Sequence, residues 1–214
     1  MDAKNIIAKR VAREFKDGDV VNLGIGIPTL VSNYISEDVQ IILQAENGFL
    51  GAGPSPEADR VDRDVVNAGG QPASIKPGGC TFDSVFSFSL IRGGHLAATV
   101  LGAMEVDESG DLANWWIPGK MMAGMGGAMD LVVGARRVIV AMEHTAKGQP
   151  KILKKCRLPL TAVGEVDLIV TEMAVFSYQP KLTLLELASG VSLEDVKKGT
   201  EAEFVVSPGL KTWD

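Results

Sequence analysis

Residues 20–28 read Val-Val-Asn-Leu-Gly-Ile-Gly-Ile-Pro, and no other segment restricts the fold more. An apolar tetrapeptide that breaks into glycines and then a proline predicts a short buried strand over 20–23. The strand hands over through Gly24-Ile25-Gly26 to a helix reaching about residue 35, because Pro28 suits a first helical turn where no N–H is required. Upstream, Ile7, Val11 and Phe15 recur every fourth residue among Lys9, Arg10, Arg13, Glu14 and Lys16. That spacing predicts an amphipathic helix over 4–16, ended at Asp17-Gly18. Helix, strand, glycine loop and helix in this order are the alternation of an α/β domain.

The same grammar continues less regularly. An apolar run at 40–43 reads as the next strand, Val65-Val66 as a strand end, 84–91 as a helix stopped by Gly93-Gly94, and 98–101 as a strand. Residues 104–113 predict a hairpin or tight loop, 126–134 a helix start, and 138–141 and 168–171 buried strands. Residues 175–178 and 182–187, around Gln179-Pro180-Lys181, predict a second hairpin. Ser192-Leu193-Glu194-Asp195 has the pattern of an N-cap for a last short helix, followed by a strand at 204–206. No repeat, low-complexity tract or linker interrupts the chain, so one domain over 1–214 is expected.

Of the 214 residues, 46% are hydrophobic and 22% charged, enough apolar material for a sizeable core, which argues against disorder. A formal charge of −6 leaves no electrostatic footprint for nucleic acid, and no basic run suggests a lipid surface. No apolar run approaches the roughly 18 residues of a membrane span, and the N-terminus lacks a secretory pattern. A cytoplasmic chain acting on a small molecule or a protein partner is therefore expected. Cys80 and Cys156 have no spacing that resembles a metal knuckle or a redox dithiol and read as reduced thiols.

Chemistry concentrates at Leu-Gln-Ala-Glu-Asn-Gly-Phe-Leu-Gly, 43–51. Here Glu46 stands at the end of a predicted strand, and Asn47-Gly48 behind it is a strong turn signal that leaves the carboxylate either facing a cleft or solvated on a hairpin. A carboxylate is ionised at neutral pH and attacks a thioester without a base to remove a proton. Bases are scarce: His95 and His144 are the only histidines, and each reads first as a structural hydrogen-bonding residue. No nucleophile elbow, HExxH or Cys-His pattern appears, which disfavours serine hydrolases, zincins and thiol enzymes.

Two glycine clusters offer backbone donors. Gly24-Ile25-Gly26 lacks the third glycine of a dinucleotide fingerprint, since position 29 is threonine. Gly124-Met125-Gly126-Gly127 is the stronger candidate, since glycines ahead of a helix expose N–H groups to developing negative charge; a plain tight turn is its alternative. Asn22 and Asn67, at strand ends, are candidates to line the same cleft or to brace turns. Arg92, Lys120, Lys147 and Lys151 are weaker candidates for phosphate contacts, and Trp115-Trp116 reads as core or interface.

Together these segments resemble the family I CoA-transferases, on the beta-subunit side of the two-subunit 3-oxoacid enzymes. The resemblance rests on 21–28, 46–51, 66–70, 91–95, 112–115, 117–121 and 124–132, ordered along nearly the whole chain. It implies an α/β fold with a layered, open, mixed β-sheet flanked by helices. Glu46 would be the nucleophile, Gly127 with Gly126 the oxyanion site, and Asn22, Gly26, Asn47 and Gly48 positions around the substrate. Coenzyme A would be a substrate rather than a permanently bound cofactor, with no metal. An alpha subunit would complete a hetero-oligomer acting on an acyl-CoA and a short-chain or 3-oxo carboxylic acid. One departure stands out: the family's usual serine before the glutamate is Ala45 here. Acyl-CoA hydrolysis and a non-catalytic stabilising subunit are the alternatives.

Overall fold

The computed structural model describes residues 1–120, 122, 124–178 and 180–214. Met121 of the 117–121 segment and Gln179 of the expected hairpin turn lie outside the described residues. In chain order the elements are α1 (Ala3–Ala12), β1 (Val20–Leu23), α2 (Ile27–Leu30) running on into a 3-10 turn (Val31–Tyr34), β2 (Ile42–Ala45), β3 (Phe49–Ala52) and β4 (Ile75–Thr81). There follow α3 (Ser84–Arg92), β5 (Ala98–Leu101), β6 (Glu105–Asp107), β7 (Leu112–Ala113), α4 (Ala128–Gly134), β8 (Val138–Ala141), β9 (Thr145–Ala146), β10 (Gln149–Pro150) and β11 (Ile152–Leu153). The chain closes with β12 (Leu168–Val170), β13 (Ala174–Tyr178), β14 (Leu182–Ala188), α5 (Leu193–Gly199) and β15 (Val205–Trp213).

Among the described residues, ten strands form one sheet in the order β15-β14-β13-β12-β8-β5-β1-β2-β3-β4. Strands β12, β8, β5, β1 and β2 run parallel, and β13 and β3 turn antiparallel on either side of them. The mixed α/β sheet is thus the one the resemblance implies. From β1 the chain adds β2, β3 and β4 on one side, then crosses back to place β5, β8 and β12 on the other. Such a reversal opens a crevice beyond the carboxyl ends of the central strands, where the loops after β1 and β5 diverge.

Helices cover both faces. Ile7 and Val11 of α1 pack with Val21, Val100, Ile139 and Val170, while Ile91 of α3 and Leu131 of α4 pack with Leu101, Val138, Val140 and Ile169 on the opposite side. Strand alternation explains the division: Val21 faces α1, so its neighbour Asn22 faces α3 and α4. A part-buried ion network adds to the α1 side, where the buried Arg10 donates to both carboxylate oxygens of Glu186 on β14 at 2.8 and 2.9 Å and also pairs with Glu14. Burial opposes the Arg10 charge, but Glu186 and then Glu14 outweigh it and hold the guanidinium protonated.

Several boundaries move from their expected places. The strand expected at 40–43 lies at Ile42–Ala45, so it ends against Glu46. Val65-Val66 forms only a bridge from Val66 to Pro72. Strand β4, with sequence Ile-Lys-Pro-Gly-Gly-Cys-Thr, carries no apolar alternation and tolerates Pro77 because it is the sheet's edge. Helix α1 stops at Ala12, with Arg13 as its C-cap. The final strand extends to Trp213, whose buried ring anchors a mostly exposed edge.

Candidate active site

Glu46 owes its position to a three-residue reversal between β2 and β3. The Gly48 N–H donates to the Ala45 carbonyl at 3.0 Å, and the Phe82 N–H donates to the Gly48 carbonyl at 2.9 Å. Gly48 holds φ +134°, and a Cβ there would stand 2.3 Å from the Phe82 carbonyl oxygen, so only glycine fits. Asn47 turns outward and donates its amide to the Val66 carbonyl at 2.8 Å, tying down a loop that Asn67 organises by accepting from the N–H groups of Gly69 and Gln71.

The opposing wall comes from the segment before α4. Its N-cap residue Gly127 donates its backbone N–H to Glu46 Oε1 at 3.0 Å. A Cβ on Gly127 would lie 3.0 Å from Glu46 Cδ and Oε2, and one on Gly126 would lie 3.3 Å from Oε1. The glycines are there because the carboxylate rests directly on their backbone. On the third side, Gly24 leaves β1 so close to β5 that its N–H donates to the Val100 carbonyl at 2.8 Å.

These walls enclose a cleft of about 1020 Å³ at the carboxyl ends of β1, β2 and β5. Asn22, Glu46, Asn67, Gly126 and Gly127 line it together with apolar residues such as Leu23, Leu101, Ala103 and Met104. Glu46 is the one ionisable side chain among the described lining residues. A reaction here that needs a proton shuttle finds none on this wall, whereas one that needs an anionic nucleophile finds a single, held carboxylate.

The other expected positions are placed as follows. Gly26 is the N-cap of α2 at φ +91°, Gly48 closes the β2–β3 turn and Asn47 braces it against Val66; each adjoins a residue that lines the cleft. Asn22 lines the cleft, but its amide nitrogen is committed to Gln44 Oε1 at 2.8 Å. His144 is fully buried between the hydroxyls of Thr171 and Thr200, 2.9 and 3.0 Å from its ring nitrogens. Burial, and then nearby Lys151, push its pKa down to about 4, which keeps it neutral and structural. Arg92 pairs with Asp130 between α3 and α4. Lys151 is half-buried and Trp115 donates to the Leu160 carbonyl, both outside the cleft. Gln44 and Asn114, which the sequence marks only as members of 43–51 and 112–115, also line it; Gln44 lies in β2, two residues before Glu46, which follows the strand's last residue, Ala45.

A family model described as Coenzyme A transferase matches residues 4–199. The beta subunit of acetate CoA-transferase from Escherichia coli strain K12 is 57% identical over 214 residues, covering 99% of this chain and 98% of that protein. The mitochondrial succinyl-CoA:3-ketoacid coenzyme A transferase 2B of Mus musculus is also 57% identical, over 209 residues that span 96% of this chain but 40% of that protein. Among solved structures, an acyl-CoA transferase apoenzyme from Escherichia coli O157:H7 superposes with a TM-score of 0.79 at 25% identity, covering 100% of this chain and 43% of that one.

Proposed function

This chain belongs to the coenzyme A transferase family, and from that premise we propose that it is the beta-type subunit of a two-subunit enzyme that moves CoA between an acyl-CoA and a short-chain or 3-oxo carboxylic acid by way of a thioester on Glu46. The observation that carries the reading is the Glu46 carboxylate, the one charge among the described lining residues, held at Oε1 by the Gly127 N–H. No hydrogen bond from the described residues reaches Oε2, so that oxygen is the one left to attack.

The steps follow from this asymmetry. Oε2 adds to the acyl-CoA carbonyl carbon, the carbon–sulfur bond breaks, and CoA leaves as a thiolate from an acyl-glutamyl anhydride. The thiolate then adds to Glu46 Cδ. The negative charge of that second addition develops on Oε1, where the Gly127 N–H already points, and collapse releases the first carboxylate and leaves glutamyl-CoA. An acceptor carboxylate reverses both steps. Each carboxylate consumed is matched by one released, so neither metal nor redox partner is needed for balance. The apolar walls suit a neutral acyl chain and limit water, whose attack on either intermediate would waste the thioester.

An alpha subunit is part of the proposal. The mouse relative and the solved acyl-CoA transferase each hold the counterpart of this chain in a polypeptide more than twice its extent, and the additional portion is the natural source of a closing wall for an open cleft. The test is to assemble the chain with an alpha-type subunit, add acyl-CoA, and trap Glu46 with borohydride or hydroxylamine. Labelling of Glu46, lost together with transfer in a folded Glu46→Ala variant, is expected; undiminished transfer by that variant overturns the reading. Release of CoA that does not depend on added acetate or acetoacetate would indicate hydrolysis instead.

A further inference from the structure

A row of polar side chains crosses the sheet directly beneath the cleft, in a layer otherwise made of Leu101, Val138, Val140 and Leu131. Register places Gln44 of β2 beside Asn22 of β1, and Asn22 beside Thr99 of β5, all on the face covered by α3 and α4. Asn22 Nδ2 donates to Gln44 Oε1 at 2.8 Å and, more weakly, to the Gln44 carbonyl at 3.3 Å. Gln44 Nε2 donates onward to Ser87 Oγ on α3 at 3.0 Å. All three residues are at most 4% exposed. The neighbouring Thr99 hydroxyl finds no partner among the described residues, so this stretch of the layer keeps polar groups despite the cost of burying them.

The far end of α3 meets α4. A Cβ on Gly134 would come within 2.3 Å of the Ile91 carbonyl oxygen, so the two helices touch backbone to backbone, and Arg92 pairs with Asp130 alongside. Helix α3 is therefore in contact with both halves of the site. Through Ser87 it grips the strand that precedes Glu46, and through Ile91 and Arg92 it seats the helix capped by Gly127. Apolar packing alone would let β2 slide by fractions of an ångström against α3, whereas two directional hydrogen bonds to one amide fix its register.

We propose that Gln44 is a positioning residue for the transfer reaction: the Asn22–Gln44–Ser87 chain sets the separation between the Glu46 carboxylate and the Gly127 N–H. The inference rests on the proposed role of Glu46. It does not require any of the three side chains to touch substrate.

The test uses the chain assembled with its alpha-type partner. Gln44→Leu keeps the volume and removes both hydrogen bonds; it should lower kcat by about 10- to 100-fold, the scale of a sub-ångström to 1 Å misplacement. The KM for acyl-CoA should stay within about twofold, and the rate of Glu46 trapping should fall by the same factor as kcat. Ser87→Ala should give a smaller loss, about fivefold, and the double variant should be no slower than Gln44→Leu, since both break one chain. Val196→Ala, buried in α5 and outside the cleft, is the control: it should lower the melting temperature while leaving kcat within about twofold. A folded Gln44→Leu enzyme with unchanged kcat, or losses that multiply in the double variant, overturns the proposal. If Gln44→Leu does not fold, Ser87→Ala decides, with unchanged kcat counting against it. Glu46→Ala measured in parallel separates the two levels: if it retains transfer, the functional reading fails, whereas if it alone is inactive, only the positioning role fails.

Discussion

Gly127→Ala isolates the contact on which the site depends. Gly127 has φ −87° and ψ 9°, in the bridge region on the negative-φ side that is open to alanine, so the substitution demands no left-handed backbone. The new methyl would stand 3.0 Å from Glu46 Cδ and Oε2 and 3.1 Å from Oε1. Carbon atoms in contact prefer roughly 3.5–4.0 Å, so the carboxylate must withdraw by about 0.5 Å or more. That stretches the 3.0 Å bond from the Gly127 N–H towards the limit of a hydrogen bond. A charge-assisted bond contributes about 1.5–3 kcal/mol, and its partial loss corresponds to a fall in kcat of about 10- to 100-fold. Stability should change by less than about 1 kcal/mol, because the entropic gain of Gly→Ala offsets the poorer N-cap. The assay is transfer of CoA from an acyl-CoA to acetate by the assembled enzyme, alongside urea unfolding of the same variant. A Gly127→Ala enzyme that is both folded and fully active would show that Glu46 does not work against this N–H.

Three further outcomes can be measured directly. Gly48→Ala places a methyl 2.3 Å from a backbone oxygen at φ +134°; it should cost more than about 2 kcal/mol and abolish transfer, and a normal melting temperature would count against the turn as described. Arg10→Ala strands Glu186 beside a buried position and leaves Glu14 with Arg137 alone; it should lower unfolding free energy by about 3 kcal/mol in urea, with a loss under about 1 kcal/mol contradicting a part-buried pair. For His144, burial and then Lys151 lower the folded pKa from 6.5 to about 4. Between those values the unfolded chain binds a proton that the native state refuses, so stability falls as pH falls through that window. From pH 7 to 5 the loss is about 2 kcal/mol, and His144→Gln should flatten the corresponding slope in melting temperature against pH.

Much of the local structure was legible because its causes are local. The strands Val20–Leu23, Ala98–Leu101 and Val138–Ala141 lie where short apolar runs meet turn residues, and Ser192 and Asp195 form the reciprocal cap that their spacing suggests. Strand β4 was not legible: an edge position demands no apolar face, so Ile-Lys-Pro-Gly-Gly-Cys-Thr carries no pattern to read. The site divides in the same way. The sequence marks Glu46 by the turn after it and Gly126-Gly127 by their cluster, but carries no sign that the Gly127 N–H reaches Glu46 Oε1 or that Asn47 reaches the Val66 carbonyl, since these contacts join distant segments.

By itself, then, the amino-acid order determined an α/β alternation, a reversal that leaves one acid at a strand end, and a glycine pair ready to donate N–H groups. These depend on residues within a few positions of one another. Only the tertiary structure decided that Gly127 meets Glu46 across 81 positions, and that Gln44 is held by Asn22 and Ser87 from 22 and 43 positions away. Such contacts depend on strand order and on which face each helix covers. Those are set by the burial of many side chains at once, and no single segment records them.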